Sequence, residues 1–315
     1  MTKTKSMHEI LRVEGLTKYF GREFTLGSKK LKGKVVKAVE DVSFSIKKGE
    51  IFGFLGPNGA GKSTTMRAIM NYLHIQNGSI KVFGLDHQKD ALEIRKRIGY
   101  LPGEVALYQN FSGEELIEYF GKFRQIDPQM LKKLRSIFTV NLSKKIGSLS
   151  TGNRQQAALI AVMASNPDLL ILDEPIHGLD PLIAARLHKL LIELRNQGKT
   201  IFLSSHDLSE VQKICDRVGI IKKGRMIVIE KVEVLLEKSL QTMNIEFDDS
   251  TVLPEEADFR EVLSVVSVQR TNESGKFLLK VKENLNDLLK FLTAYKVKRF
   301  TLTDSDLEEV FLYYY

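Results

Sequence analysis

Residues Gly56-Pro57-Asn58-Gly59-Ala60-Gly61-Lys62-Ser63 constrain the fold more than any other stretch of this chain. They read G-x-x-x-x-G-K-S between an apolar run, Ile51-Phe52-Gly53-Phe54-Leu55, and a helix-compatible run, Thr64-Thr65-Met66-Arg67-Ala68-Ile69-Met70. Strand, glycine-rich loop and helix form the context in which this spacing binds phosphate. Glycines let successive backbone N–H groups turn inward as an anion nest, and the helix start adds its positive dipole end. There Lys62 can reach the β- and γ-phosphates of a nucleotide, and the Ser63 hydroxyl can reach Mg²⁺. A glycine-rich turn with a surface lysine is the alternative, and it leaves the flanking strand and helix without a purpose.

A second constellation complements the first. Leu169-Leu170-Ile171-Leu172 is a short, fully apolar run ending in Asp173-Glu174-Pro175. Such a run suits a buried parallel strand, and ligands of open α/β sheets bind beyond the carboxyl ends of the strands. Asp173 is therefore expected to hold Mg²⁺ through its water shell, and Glu174 to polarise the attacking water as a general base.

Upstream lies Leu149-Ser150-Thr151-Gly152-Asn153-Arg154-Gln155-Gln156, opening an alanine-rich helical run; downstream come His177-Gly178-Leu179-Asp180 and Ser204-Ser205-His206-Asp207. Phosphate loop, signature, Asp-Glu strand, Gly-Leu-Asp loop and a single histidine, in that order, resemble the ATP-binding subunit of an ABC (ATP-binding cassette) transporter. The resemblance covers residues 9 to 230, and five motifs in one order are far more specific than any one of them.

The resemblance implies roles position by position. Gly56, Pro57, Asn58, Gly59, Ala60, Gly61, Lys62, Ser63 and Thr64 match the phosphate loop. Phe20 falls where the family stacks an aromatic ring on adenine, with Tyr19 as the alternative. Ser63 and Asp173 match the Mg²⁺ positions, Glu174 the base, His206 the residue that contacts the γ-phosphate, and Asp180 the loop that crosses the dimer interface. Ser150 and Gly152 match the signature that completes a partner's ATP site; physically, Ser150 reads as a helix N-cap, and such a helix end can cap a phosphate across an interface. The expected cofactors are ATP and Mg²⁺. The expected partners are separate transmembrane permease subunits and a second cassette, a copy of this chain or a related one, with no nucleic acid.

Three positions depart from the family pattern. The signature has Thr151 and Asn153 where Gly and Gln are usual; Thr151 is expected in an ordinary first-turn conformation with a spare hydroxyl. After Leu101-Pro102 stands Gly103-Glu104 in place of a glutamine; this resembles an exporter-type branch and makes Glu104 the candidate sensor there. His177 replaces a small polar residue and reads as a tolerated surface variant.

The expected fold is an α/β P-loop NTPase cassette: a mixed sheet with flanking helices, an antiparallel β subdomain near 9–48 and a helical subdomain near 105–165. In the helical region Ser112-Gly113-Glu114-Glu115 reads as a capping box that starts an amphipathic helix through Phe123. That region resembles the family's membrane-subunit grip. Lys222-Lys223-Gly224-Arg225 reads as a hairpin turn. Residues 231–315 change texture, and about 85 residues is a size at which a lone core is marginal. Here the pattern predicts strands at Asn244-Ile245-Glu246-Phe247 and across 276–281, a helix over 284–295, a strand at Arg299-Phe300-Thr301-Leu302 and a last helix capped by Ser305-Asp306-Leu307-Glu308. This C-terminal α+β accessory domain reads as regulatory or dimer-stabilising, and its tail resembles that of exporter ATPases.

Composition closes off other classes. Hydrophobic content of 43% and charged content of 27% are those of a soluble globular protein. No stretch approaches ~18 uncharged apolar residues, and the basic start, Met1-Thr2-Lys3-Thr4-Lys5, has no apolar core after it, so neither a membrane span nor a secretory signal is expected. The single cysteine, Cys215, excludes an internal disulfide and reads as a buried, inert thiol. Net charge is +8, with Lys29, Lys30, Lys32, Lys34 and Lys37 clustered in what reads as an insertion between two strands. A solvated loop is the plain reading; a patch against anionic headgroups is the other. Together these readings give an ATP-hydrolysing subunit that powers export from the cytoplasmic face of a membrane, with a soluble ABC ATPase acting on ribosomes or nucleic acid as the alternative. The transported molecule is not encoded here, since it touches the membrane subunits.

Overall fold

The structure, a computed structural model, describes residues 9–21, 23–26, 29–32, 35–104, 107–237, 241–248, 253–271, 275–282 and 284–303. It forms two compact units, Met1–Glu230 and Lys231–Tyr315.

At the heart of the first unit is a six-stranded sheet, in the order Arg225–Lys231, Arg217–Lys222, Ile51–Leu55, Thr200–Ser205, Leu169–Asp173, Ile98–Leu101. Every residue of its three central strands is buried, which is why their sequences are mostly apolar without alternation, with polar residues only at strand ends. Thr200–Ser205 pairs in parallel with both neighbours, placing Ser205 opposite Leu55 and Ser204 opposite Asp173. The carboxyl ends of the three strands therefore share one edge, and the phosphate loop, Asp173 and His206 all emerge there. The expected hairpin turn is formed by Lys223 and Gly224, both with positive φ (48° and 79°), the conformation that a two-residue hairpin connection requires.

A second sheet, in the order Val36–Lys47, Glu9–Phe20, Asn77–Val82, Leu85–Asp86, is antiparallel. Phe44 joins it to the first sheet, with ring centroids 5.6 Å from Phe52, 5.5 Å from Phe54 and 5.6 Å from Phe202. The basic insertion is not a bare loop: Glu23–Leu26 and Lys29–Lys32 pair as an antiparallel hairpin. The helical segment contains Gly113–Gly121, Pro128–Ile137 and Thr151–Met163. Ser112 forms the capping box with Glu115, and the helix stops two residues short of the expected Phe123. Cys215 is buried against Gly53, where a β-carbon would come within 2.9 Å of its Sγ; burial raises the thiol's pKa and keeps it protonated.

In the second unit a four-stranded sheet runs Val265–Arg270, Lys276–Val281, Gln241–Phe247, Val297–Thr303. All three pairings are antiparallel. Met243, Ile245 and Phe247 meet Phe277, Leu279 and Val281 in its core, covered by Phe259, Leu288 and Leu292. The helix expected over 284–295 spans only Asn286–Leu292. Helix Glu256–Arg260 and strand Val265–Arg270 were not expected from the sequence; the first is five residues long, and the second is an edge strand with no fully buried position. The last helix, with Ser305 as its cap, and the tail at 307–312 lie outside the described residues. Among the described residues no helix is long and apolar enough to cross a membrane.

Candidate active site

Gly56 ends the buried strand Ile51–Leu55, and the loop it opens leads into helix Lys62–Ile69. A β-carbon at Gly56 would come within 2.4 Å of the Ile221 carbonyl oxygen, so the loop passes too close to the neighbouring strand for a side chain. Gly61, the helix N-cap, has φ 112°, and a β-carbon there would meet the Ala38 carbonyl oxygen at 2.6 Å. The first turn of this helix has no side-chain cap, which leaves its N–H groups to an anion. Ser63 and Thr64 are half-buried, while Pro57, Asn58 and Gly59 are exposed.

Lys62 is buried at the centre of the loop. Its Nζ donates to the Gly56 carbonyl at 2.5 Å and lies 3.1 Å from Glu174 Oε1. The other oxygen, Oε2, is 2.8 Å from Nδ1 of the exposed His206. One carboxylate thus bridges the phosphate-loop lysine and the histidine beyond the next strand.

Two residues set where that carboxylate stands. Glu174 occupies left-handed backbone, φ 49°, a conformation that costs a non-glycine residue about 1 kcal/mol or more. Ser204 counters it from the adjacent strand: its Oγ accepts the Glu174 N–H at 3.0 Å and donates to Asp173 Oδ1 at 2.5 Å. Asp173 is wholly buried, and its second oxygen, Oδ2, has no hydrogen-bond partner. An orphaned carboxylate oxygen at this edge fits a cation ligand. Among the described residues no cluster of three or more His, Cys, Asp or Glu side chains could hold a metal by itself. A Mg²⁺ ion here would accordingly take Asp173 and Ser63, with water and phosphate oxygens completing its shell.

Gly103 has a physical account that its position in the sequence did not supply. A β-carbon there would come within 3.0 Å of Asp173 Oδ2, so the glycine leaves room beside the acid. Glu104, the expected sensor, is exposed. Tyr100, on the strand leading to this loop, has its phenol pushed up to about 12, by burial first and by the charge of Asp173 second; it stays protonated beside the acid. After His206, Asp207 caps helix Leu208–Ile214, and Ser205 Oγ donates to Glu210 Oε2 at 2.8 Å. Burial holds the Glu210 carboxyl above its usual range, against that hydrogen bond.

The remaining expected residues are held by their own elements. Phe20 is the last residue of its strand, 42% exposed, and pairs with Val36, two residues before the Ala38 carbonyl that abuts Gly61. Lys18 Nζ lies 5.1 Å from its centroid. Ser150 caps helix Thr151–Met163, its Oγ accepting the Asn153 N–H. Thr151 is helical as expected, but its hydroxyl is not spare: it accepts from Arg154 Nη2 at 3.4 Å. Asp180 caps helix Pro181–Asn196, accepting the N–H groups of Leu182 and Ile183. The hydrogen bonds of Ser150 and Asp180 stay within their own helix ends, so neither is drawn into the Lys62–Glu174 pair. Ser204 is the positioning residue that motif reading passed over; a hydroxyl closing an otherwise apolar strand, in register with an acid, is the feature that could have flagged it.

A family model described as ABC transporter matches residues 39–177. An uncharacterised ABC transporter ATP-binding protein of Methanocaldococcus jannaschii is 31% identical over 93% of this chain and 98% of its own length. A Nod factor export ATP-binding protein I of Burkholderia lata is 31% identical over 87% of this chain and 90% of its own. Among solved structures, a dimeric ATP-binding cassette in a post-hydrolysis state with ADP and Pi superposes with a TM-score of 0.59, at 22% identity, over 70% of this chain and 98% of that one.

Proposed function

The chain belongs to the ABC transporter family as an ATP-binding subunit, and from that premise we propose that Lys62, Asp173, Glu174 and His206 form the hydrolytic centre of a cassette that works in pairs. The family assignment carries ATP binding and hydrolysis with it; the individual roles are our reading. The observation that carries it is the convergence on Glu174, whose two oxygens reach Lys62 and His206 at 3.1 and 2.8 Å from the end of a buried strand. Lys62 binds the β- and γ-phosphates, Glu174 accepts the proton of the attacking water and His206 contacts the γ-phosphate. Asp173 and Ser63 would hold Mg²⁺, which would neutralise the phosphate oxygens. Phe20 stacks on adenine.

The chain has one phosphate loop and one signature, so a complete site needs a second cassette facing head to tail. Ser150 and Gly152 of one protomer would cap the triphosphate bound by the other, and Asp180 would lie at the same interface. A second copy of this chain is the proposed partner, in keeping with the dimeric state of the similar cassette. Coupling would go to separate membrane subunits at the cytoplasmic face. Their proposed dock is the aromatic surface of the helical segment, where Tyr108 is 54% and Phe123 65% exposed. Export is the proposed direction, supported by the Nod factor relative and by Leu101-Pro102-Gly103-Glu104.

Glu174→Gln tests the centre. Turnover should fall roughly 10²-fold or more, while ATP-bound dimers accumulate on size exclusion. A variant that hydrolyses ATP at the parent rate overturns the assignment of the base.

A further inference from the structure

One buried side chain that the hydrolytic reading leaves idle joins two parts of the cassette. Gln155 lies on helix Thr151–Met163, one turn after the Ser150 cap, and is only 6% exposed. Its Nε2 donates to the Pro175 carbonyl at 3.0 Å and reaches the Glu174 carbonyl at 3.4 Å. The Glu174 carbonyl also accepts the His177 N–H at 3.1 Å. A second contact lies one helical turn earlier. A β-carbon at Gly152 would fall 2.4 Å from the Gly178 carbonyl oxygen, and one at Gly178, where φ is 78°, would fall 3.3 Å from Thr151 Cγ2. The first two turns of the signature helix and the turn over 174–178 therefore touch at two places, one a hydrogen-bonded amide and the other a backbone contact without room for a methyl group.

We propose that Gln155 is a positioning residue that couples the two ATP sites of the paired cassette. The inference rests on the head-to-tail reading given above. In that arrangement residues 150–152 cap the partner's triphosphate, whereas Glu174 serves the nucleotide bound by its own chain. Gln155 is fixed to the first and holds the backbone of the second. A shift of the 150–152 corner, produced when the partner's γ-phosphate arrives or leaves, pulls through the amide on the carbonyls of Glu174 and Pro175. Because Glu174 stands in left-handed backbone, its side-chain direction depends on how that turn is held. The amide needs a donor at this length: a carboxylate would face two carbonyls, and an asparagine would fall one methylene short.

The test replaces Gln155 by Met in the full chain, keeping length and apolar bulk while removing the donor. ATP hydrolysis against ATP concentration, ATP-dependent dimerisation and binding of a fluorescent ATP analogue are measured together. The expected result is kcat reduced about tenfold, KM and analogue affinity within about twofold of the parent, and a Hill coefficient falling from above 1 towards 1. Parent-like kcat and cooperativity in Gln155→Met overturn the proposal. So does an equal loss of analogue binding and turnover, which is the behaviour of a packing defect. If Gln155→Met does not fold, Gln155→Asn is expected to give the same split of kcat from KM. The head-to-tail reading fails separately: the parent would then show no ATP-dependent dimer and no cooperativity.

Discussion

Ser204 shows how much chemistry one hydroxyl can fix. It answers the Asp173 carboxylate and the Glu174 N–H together, in a place where water does not reach. Ser204→Ala leaves both groups unsatisfied, which should cost about 1–3 kcal/mol of stability. It should also reduce turnover more than nucleotide affinity; denaturant unfolding and steady-state kinetics read the two effects, and parent-like values in both would remove Ser204 from the site. His87 gives a pH dependence of a different kind. It is 3% exposed and neither ring nitrogen has a partner; burial holds its pKa below the usual range, against the pull of Asp86. Above about pH 6.5, the ordinary value, folded and unfolded chains are both neutral here and the residue contributes nothing. As pH falls below that value the unfolded chain takes up a proton that the fold resists, and stability is lost until the folded pKa is passed. His87→Leu should therefore lose less melting temperature than the parent between pH 7.5 and 5.5. Equal losses would show that His87 does not titrate against the fold. At this scale the sequence spoke clearly where chemistry is local. Residues 56–63 and the Asp173-Glu174 pair are recognisable because phosphate and metal binding need their atoms within a few residues of one another. Ser204, Gln155 and the fit of Gly103 against Asp173 depend on strands and helices that meet only in three dimensions.

Elements were legible in proportion to how much they bury and how well they are capped. The apolar runs over 51–55 and 169–172 and the helix opened by Ser112 could be read directly, since burial on both faces and a reciprocal cap each leave their own pattern. The hairpin Glu23–Leu26 and Lys29–Lys32 could not, because its strands are only four residues long and the second is lysine-rich. Edge strand Val265–Arg270 escaped for the related reason that half-exposed positions blur the period of two. Ser112→Ala is the corresponding prediction. It removes the hydroxyl that accepts the Glu115 N–H at 3.1 Å, and should lower stability by about 1 kcal/mol with little change in nucleotide binding. No change in denaturation midpoint would mean that tertiary packing alone holds that helix end.

On the scale of the whole molecule, each of the two units buries hydrophobic residues of its own among the described residues. In the first a cluster spans the two sheets, and in the second a small cluster gathers around Phe247, Phe259 and Phe277. Units with buried clusters of their own predict separate melting. Calorimetry of the full chain should resolve two transitions, and Phe259→Ala, by emptying the centre of the smaller core, should lower only one of them, by about 3–5 kcal/mol in local stability. ATPase activity should be unaffected at temperatures below that transition. A single transition that shifts as a whole would instead make the two units one cooperative body. The one native thiol of the chain, Cys215, is buried against Gly53 and held protonated by that burial. Maleimide dyes and spin labels react with exposed thiolates, so a cysteine placed at any surface position would be the sole label on an otherwise unaltered polypeptide. Opening and closing of the paired cassette can then be followed by distance spectroscopy without first stripping the protein of its own sulfur.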